Sequence, residues 1–259
     1  TGSRNVGVGY QALYSNTTGN YNTAFGFQSL IANTTGAKNV AIGDSALYSN
    51  TTGNYNTAIG ANSLYKNTTG SRNTAYGFDS LYENSEGSNN TAFGYYSLRV
   101  NTTGDYNTAL GNLSLQSNTT GGNNTALGFQ AGYKNQTGNA NVFIGNSAGY
   151  NETGSNKLYI SNSATQHLIT GDFSSGNLSL GQSSGTVNVL NHLDVSGTSN
   201  LDAVDIDGAV DMASTLTLAG NADFNGDLDV DGTEIVDSVD NEGGVDMDSA
   251  LTLECKADC

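Results

Sequence analysis

The sequence predicts an all-β chain, a parallel β-solenoid of 17-residue coils followed by a β-stalk. Three observations predict it: a repeat that keeps one period without slipping, a composition that favours turns and strands over helix, and a change of patterning in the last third. The opening Asn of the repeat stands at Asn5, Asn22, Asn39, Asn56, Asn73, Asn90, Asn107, Asn124 and Asn141, each 17 residues after the last. A period this strict over nine copies belongs to stacked units that bury their apolar faces only against neighbours. The 259 residues include 34 Gly and no Pro or Trp, only 12% are charged, and Asn, Thr and Ser crowd the repeats. That composition suits short strands joined by turns, and the clean period together with low charge argues against disorder.

Numbered from its opening Asn, the coil reads N-[TV]-A-apolar-G-x-x-[SA]-L-Y-x-N-T-T-G-x-x. Position four is apolar or aromatic in every copy (Val8, Phe25, Ile42 and onward to Ile144), and position nine is Leu until Gly132 and Gly149 replace it. Two apolar positions separated by Gly and small residues predict two short strands per coil, with both large side chains directed inward. Gly at position five supplies backbone angles that other residues resist. Asn-Thr-Thr-Gly is expected to close the far side through side chains that bond the local backbone and a Gly free to take positive φ. Nine coils at the strand spacing of ~4.8 Å make a rod roughly 43 Å long.

Such a rod has little interior for its length. Further apolar residues recur at position six (Tyr10, Phe27, Phe78, Tyr95, Phe129) and position ten (Tyr14, Ile31, Tyr48, Tyr65, Tyr82, Tyr133, Tyr150), and they predict stripes along the outside. Stripes of that length call for a partner chain. A homotrimer wrapped about one axis would cover them and hide the sheet edges.

Units such as "NVAIGDSAL" and "NTAIGANSL" resemble the S-V-A-I-G-x-x-[AS] repeats of trimeric autotransporter adhesin heads. The longer N-T-A-x-G-x-x-S-L-x-x-N-T-T-G form is similar to repeats of bacteriophage tail fibres and related bacterial surface fibres. The resemblance spans roughly residues 1 to 156 and implies a left-handed parallel β-roll in a homotrimeric fibre. It further implies a place on a virion tail or cell surface and a host-receptor partner, a cell-surface glycan. Departures are local: "ENSEG" stands at Glu83 to Gly87, and the ninth copy is shortened around "NETG".

Beyond the nine-coil roll (1–156), residues 157–181 break the phase and resemble the connector that follows such repeats in tail fibres. A looser 35-residue repeat then takes over: "LDVSGT" at Leu193 returns at Leu228, and "VDMASTLTL" at Val210 returns as "VDMDSALTL" at Val245. Its apolar residues alternate with Asp, Ser or Thr, a strand pattern with one dry face. This segment resembles interwound phage-fibre shafts, so residues 182–254 are assigned to a stalk and 255–259 to a Cys-containing tail.

Seven of the eight basic residues but only six of the 24 acidic ones lie at or before Lys157, which leaves one basic and 18 acidic residues beyond it. A neutral roll and an acidic stalk offer no basic patch for nucleic acid, and no apolar run is long enough to span a bilayer as a helix. Asp223, Asn225, Asp227, Asp229 and Asp231 alternate as calcium ligands do, but they lack the Gly and Glu placement of an EF-hand loop and read as solvated strand faces. Neither His167 nor His192 has a nucleophile motif or metal-ligand spacing beside it, so no enzyme, metal or cofactor is expected. Cys255 and Cys259 could bridge locally, link chains, or stay free. Asn16, Asn33, Asn50, Asn67, Asn101, Asn118, Asn135 and Asn151, among others, head N-x-[ST] sequons, glycan acceptors in a eukaryotic secretory protein, but the turn already requires those residues. The tyrosine row Tyr14, Tyr48, Tyr65, Tyr82 and Tyr133 is the candidate receptor surface, since rings beside Asn and Ser can stack on sugars. Burial between chains or coils is its structural alternative, and a non-binding extracellular filament is the alternative function.

Overall fold

The computed structural model describes residues 2–181, and the stalk, His192, the calcium-like Asp run and both cysteines lie outside the described residues. Within them the chain is all-β and builds one twelve-stranded sheet in sequential order. The first nine strands are three residues long: β1 Val6–Val8, β2 Thr23–Phe25, β3 Val40–Ile42, β4 Thr57–Ile59, β5 Thr74–Tyr76, β6 Thr91–Phe93, β7 Thr108–Leu110, β8 Thr125–Leu127 and β9 Val142–Ile144. Each pairs in parallel with the next at an offset of 17, as in Thr57↔Thr74. This is a β-solenoid of about nine turns. Three strands follow, β10 Lys157–Ile160, β11 Ile169–Asp172 and β12 Asn177–Leu180. The first still pairs in parallel with β9, and the next two turn antiparallel.

Three expectations about the coil's interior need correction. Each coil carries one strand, not two. The stretch from position five to position eleven is a run of stacked turns in which positions seven and nine take left-handed backbone, for example Asn62 at φ 54° and Leu64 at φ 52°. Its amides still bond between coils, Leu64 N–H to Ser80 O at 3.0 Å and Lys66 N–H to Tyr82 O at 3.0 Å. A left-handed Leu costs about 1–2 kcal/mol, and full burial of its side chain contributes about 1.5–3 kcal/mol. Burial therefore carries the conformation.

The second correction concerns which apolar residue points inward. Position three, Ala24 through Ala126, is fully buried with the Leu of position nine, while position four faces out, Phe25 being 58% exposed. Alternation along the strand puts positions one and three on one face and two and four on the other. A coil this thin has room for Ala, Leu and two Asn, so the larger residue is outside.

The third correction concerns Gly at position fifteen, which does not take positive φ. A Cβ on Gly70 would stand 2.4 Å from both Gly87 O and Asn67 Oδ1, so closeness of approach requires the glycine. At position five the conformation itself demands it, Gly60 having φ +128°.

The rest of the interior is polar and continuous. Asn56 N–H donates to Asn39 Oδ1 at 2.9 Å, and Asn56 Nδ2 donates to Gly70 O at 2.8 Å. Asn67 Nδ2 donates to Asn50 Oδ1 at 2.8 Å and to Gly70 O at 3.0 Å. Thr68 Oγ1 donates to Ser85 O in the next coil at 2.9 Å. Both asparagine ladders are buried from the second coil onward. Buried amides remain inside only when their hydrogen bonds are made, and stacking identical coils makes them one after another.

The ninth coil departs from this plan. Phe143 stands where the second to eighth coils have Ala, and Gly149, like Gly132 of the eighth coil, stands where the first seven have Leu. The Phe143 ring fills the emptied space: a Cβ on Gly132 would lie 2.5 Å from it, and one on Gly149 2.2 Å. The same coil lacks one Thr, so β10 follows β9 at an offset of 16, Leu158 pairing with Val142. Tyr159 thereby arrives at position three and packs on Phe143, ring centroids 6.0 Å apart.

Candidate functional site

The outer surface of the roll is a set of rows, because a residue at one position of the coil meets its own kind one coil away. The expected tyrosine row at position ten is such a row. Tyr48 and Tyr65 stack at 4.8 Å and 12°, Tyr65 and Tyr82 at 5.1 Å and 8°, and Tyr133 and Tyr150 at 4.9 Å and 1°. The stack of three ends on Arg99, whose guanidinium lies 5.3 Å from the Tyr82 centroid and whose Nε reaches Asp79 at 3.3 Å. Lys66 approaches the same ring at 5.6 Å and pairs with Glu83 at 2.6 Å. Burial between its two neighbours pushes the Tyr65 hydroxyl above its ordinary pKa. Tyr14 stands apart, 72% exposed beside Ile31. The row is thus brought together as two separate stacks and one isolated ring. Within a stack the faces meet one another, and a ligand would meet ring edges, hydroxyls and the faces at the stack ends.

The sequon asparagines at position twelve are placed inside. From Asn33 to Asn135 they are fully buried, and the Nδ2 that would carry a glycan is already a donor, as at Asn101, which gives to Asn84 Oδ1 at 2.7 Å and Gly104 O at 3.0 Å. The turn-building role of these residues accounts for the motif.

Position four forms an outward apolar row from Val8 to Ile144, with Tyr76 and Phe93 stacked at 4.6 Å. Position six runs beside it, Tyr10 on Phe27 at 5.3 Å and Phe78 on Tyr95 at 5.6 Å. Register carries the row on into the three closing strands. Ile160 pairs with Ile144 and with Ile169, and Ile169 pairs with Leu180, so the row continues without interruption. Leu168, Phe173, Leu178 and Leu180 are exposed there.

The opposite face of β10–β12 is polar. Lys157, Asp172 and Asn177 form one cross-strand line and Tyr159, Thr170 and Ser179 the next. With Glu152 they line a cavity of about 330 Å³. Glu152 occupies the position of the ladder asparagine and accepts from Tyr159 OH at 2.7 Å, Gly154 N–H at 2.7 Å and Thr153 N–H at 3.0 Å. Burial pushes its carboxyl up, but these donors and nearby Lys157 outweigh it and hold the pKa below the usual value. Burial and the Glu152 carboxylate push the Tyr159 hydroxyl up to about 12. Lys157 Nζ meets Asp172 Oδ2 at 2.6 Å and, with the Ser174 hydroxyl and amide, holds that carboxyl well below the carboxylate range. His167 Nδ1 lies 3.2 Å from Ser161 Oγ, its ring edge-on to Tyr159 at 4.7 Å, and burial lowers its pKa.

No group of three or more His, Cys, Asp or Glu side chains able to hold a metal ion occurs among the described residues. No helix there is long and apolar enough to cross a membrane. A comparison with protein-family models, curated proteins and solved structures returned no match for the chain.

Proposed function

We propose that the chain is a structural segment of a phage tail fibre or adhesin, a left-handed roll assembled as a homotrimer that projects a receptor-binding surface. The carrying observation is the apolar row of position four, outward-facing in all nine coils and continuous with Ile160, Ile169 and Leu180 of the closing strands. A contiguous apolar surface of that length marks an interaction surface, and one that repeats at every coil is matched best by another copy in the same register, related by rotation about the rod axis. Residues 182–254 are assigned to the stalk of that fibre, and the receptor is a cell-surface glycan. Sedimentation equilibrium of the full chain tests the assembly. A mass three times that of one chain is expected, with Phe93→Asp lowering it toward the single chain, and a single-chain mass for the unaltered protein overturns the reading. Glycan-array binding of the trimer then separates a receptor-binding fibre from a spacer. The spacer reading draws on the stacked tyrosines, whose faces are largely taken up by each other.

A further inference from the structure

A second row, at the last position of the coil, follows a different rule. From the residue before the first coil to the end of the fourth it reads Arg4, Tyr21, Lys38, Tyr55, Arg72, a strict alternation of cation and ring, all exposed. Every one of these residues has left-handed backbone, φ 58–60°. That conformation favours Asn over large side chains, and in later coils Asn stands at this position at Asn89, Asn123 and Asn156, with Tyr106 and Ala140 at the other two. The backbone therefore does not explain the alternation, and a residue held in an unfavourable conformation against an available better choice points to function.

The geometry arranges the cations in a line. Arg4 sits 5.0 Å over the Tyr21 ring and contacts its hydroxyl. Lys38 sits 4.8 Å over Tyr55 and donates to its hydroxyl at 3.0 Å, while Arg72 approaches Tyr55 from the other side at 5.9 Å. Tyr21 holds Arg4 and Tyr55 holds Lys38 and Arg72, and each ring is itself about half exposed, 47% for Tyr21 and 51% for Tyr55. Over these coils positions thirteen to seventeen contain no carboxylate, and the first acidic residues of that edge are Glu86 and Asp105. The result is an unneutralised line of cations, one for every two coils or ~9.6 Å.

We propose that this ladder binds a linear acidic polysaccharide carrying one carboxylate per disaccharide, laid along the rod. A pyranose in an extended β-linked chain advances by about one coil spacing, so its disaccharide repeats with the cations. Other polyanions do not fit. Duplex phosphates follow at ~3.4 Å per strand, and alternate Asp residues of an extended acidic strand at ~6.7 Å. The site deepens the receptor-binding reading above, but it lies on one protomer's edge and away from the position-ten tyrosines.

The test is binding of the full chain to immobilised hyaluronan, with cellohexaose, single-stranded DNA and poly-aspartate as the other probes. The triple variant Arg4→Asn, Lys38→Asn, Arg72→Asn keeps the fold, because Asn already serves this position, and its sedimentation mass is measured alongside. Hyaluronan is expected to bind, more weakly as salt rises, and the triple variant to lose about tenfold or more in affinity. Lys134→Ser, which removes a cation that lies outside the ladder and donates to Asn151 Oδ1, leaves this binding unchanged. Absence of hyaluronan binding overturns the proposal, as does retention of it by the triple variant. Tighter binding of DNA or poly-aspartate overturns it too, because charge and not spacing would then be recognised. A trimer that ignores hyaluronan leaves the fibre standing without this site, whereas a monomer that binds it keeps the site and removes the fibre.

Discussion

The second to seventh coils and the ninth coil enclose the same interior with different side chains. In the former each coil contributes its own Ala, Leu and Asn, and any coil could be exchanged for its neighbour. In the ninth, one ring from Phe143 occupies the space of two leucines, Gly132 and Gly149 make way for it, and Glu152 replaces the ladder asparagine. The repeat is thus sustained by volume shared between adjacent coils more than by any residue within one, and it can be closed when several positions change together. The position-twelve ladder records the boundary. It runs unbroken from Asn16 to Asn118, and beyond it Asn118 Oδ1 and Asn135 Oδ1 are buried without a partner.

Breaking the shared volume is expected to have the largest effect. Phe143→Ala leaves a cavity opposite two glycines and costs about 3–5 kcal/mol in stability by denaturant unfolding. Adding Gly132→Leu and Gly149→Leu to that variant restores most of the loss, because Leu115 already occupies the same left-handed conformation. If the triple variant is no more stable than Phe143→Ala, the two regions are not alternative packings of one space.

Cutting the ladder in the middle comes next. Asn67→Ala leaves Asn50 Oδ1 without its donor and costs about 1–3 kcal/mol. The same change at Asn135, where the ladder is already interrupted, costs less, and the difference between the two measures the value of continuity.

The smallest effect sharpens the comparison through pH. The pKa values of Asp172 and Glu152 are lowered in the fold, so their contribution is present above the ordinary carboxylate range near pH 4 and lost as pH falls through the lower folded values. Tyr159 is raised to about 12, so its contribution is present below about pH 10 and lost as pH climbs toward 12. Hydrogen exchange at Thr153 and Gly154 should accelerate at both extremes before exchange in the middle coils does. Uniform acceleration along the roll would show that the closing strands are no separate unit.

The period, the sheet and the parallel stacking were readable because one exact spacing recurs nine times and leaves few ways to pair. The inside of the coil was not, because residue size does not mark burial here. In a coil this narrow size excludes: Ala41 is inside and Ile42 outside, and the buried asparagines look in sequence like ordinary turn formers. Constant identity is the better signal, since from the second to the eighth coil Ala at position three and Asn at positions one and twelve hold where position four varies among Ile, Leu, Phe and Tyr. The exchange of Leu for Gly was visible at Gly132 and Gly149, but its partner at Phe143 sits in a different part of the coil, and only stacking brings them together. The cation–ring alternation escaped notice because it spans 17 residues per step and no local window contains two of its members.

The single Thr omitted before Gly154 marks where the 17-residue phase stops. The second to seventh coils are in phase and interchangeable, so insertion or loss of any multiple of 17 codons among them would move that end by about one strand spacing per coil without disturbing how it is made. Reach becomes a quantity that recombination can adjust in uniform steps, while the stop signal travels intact.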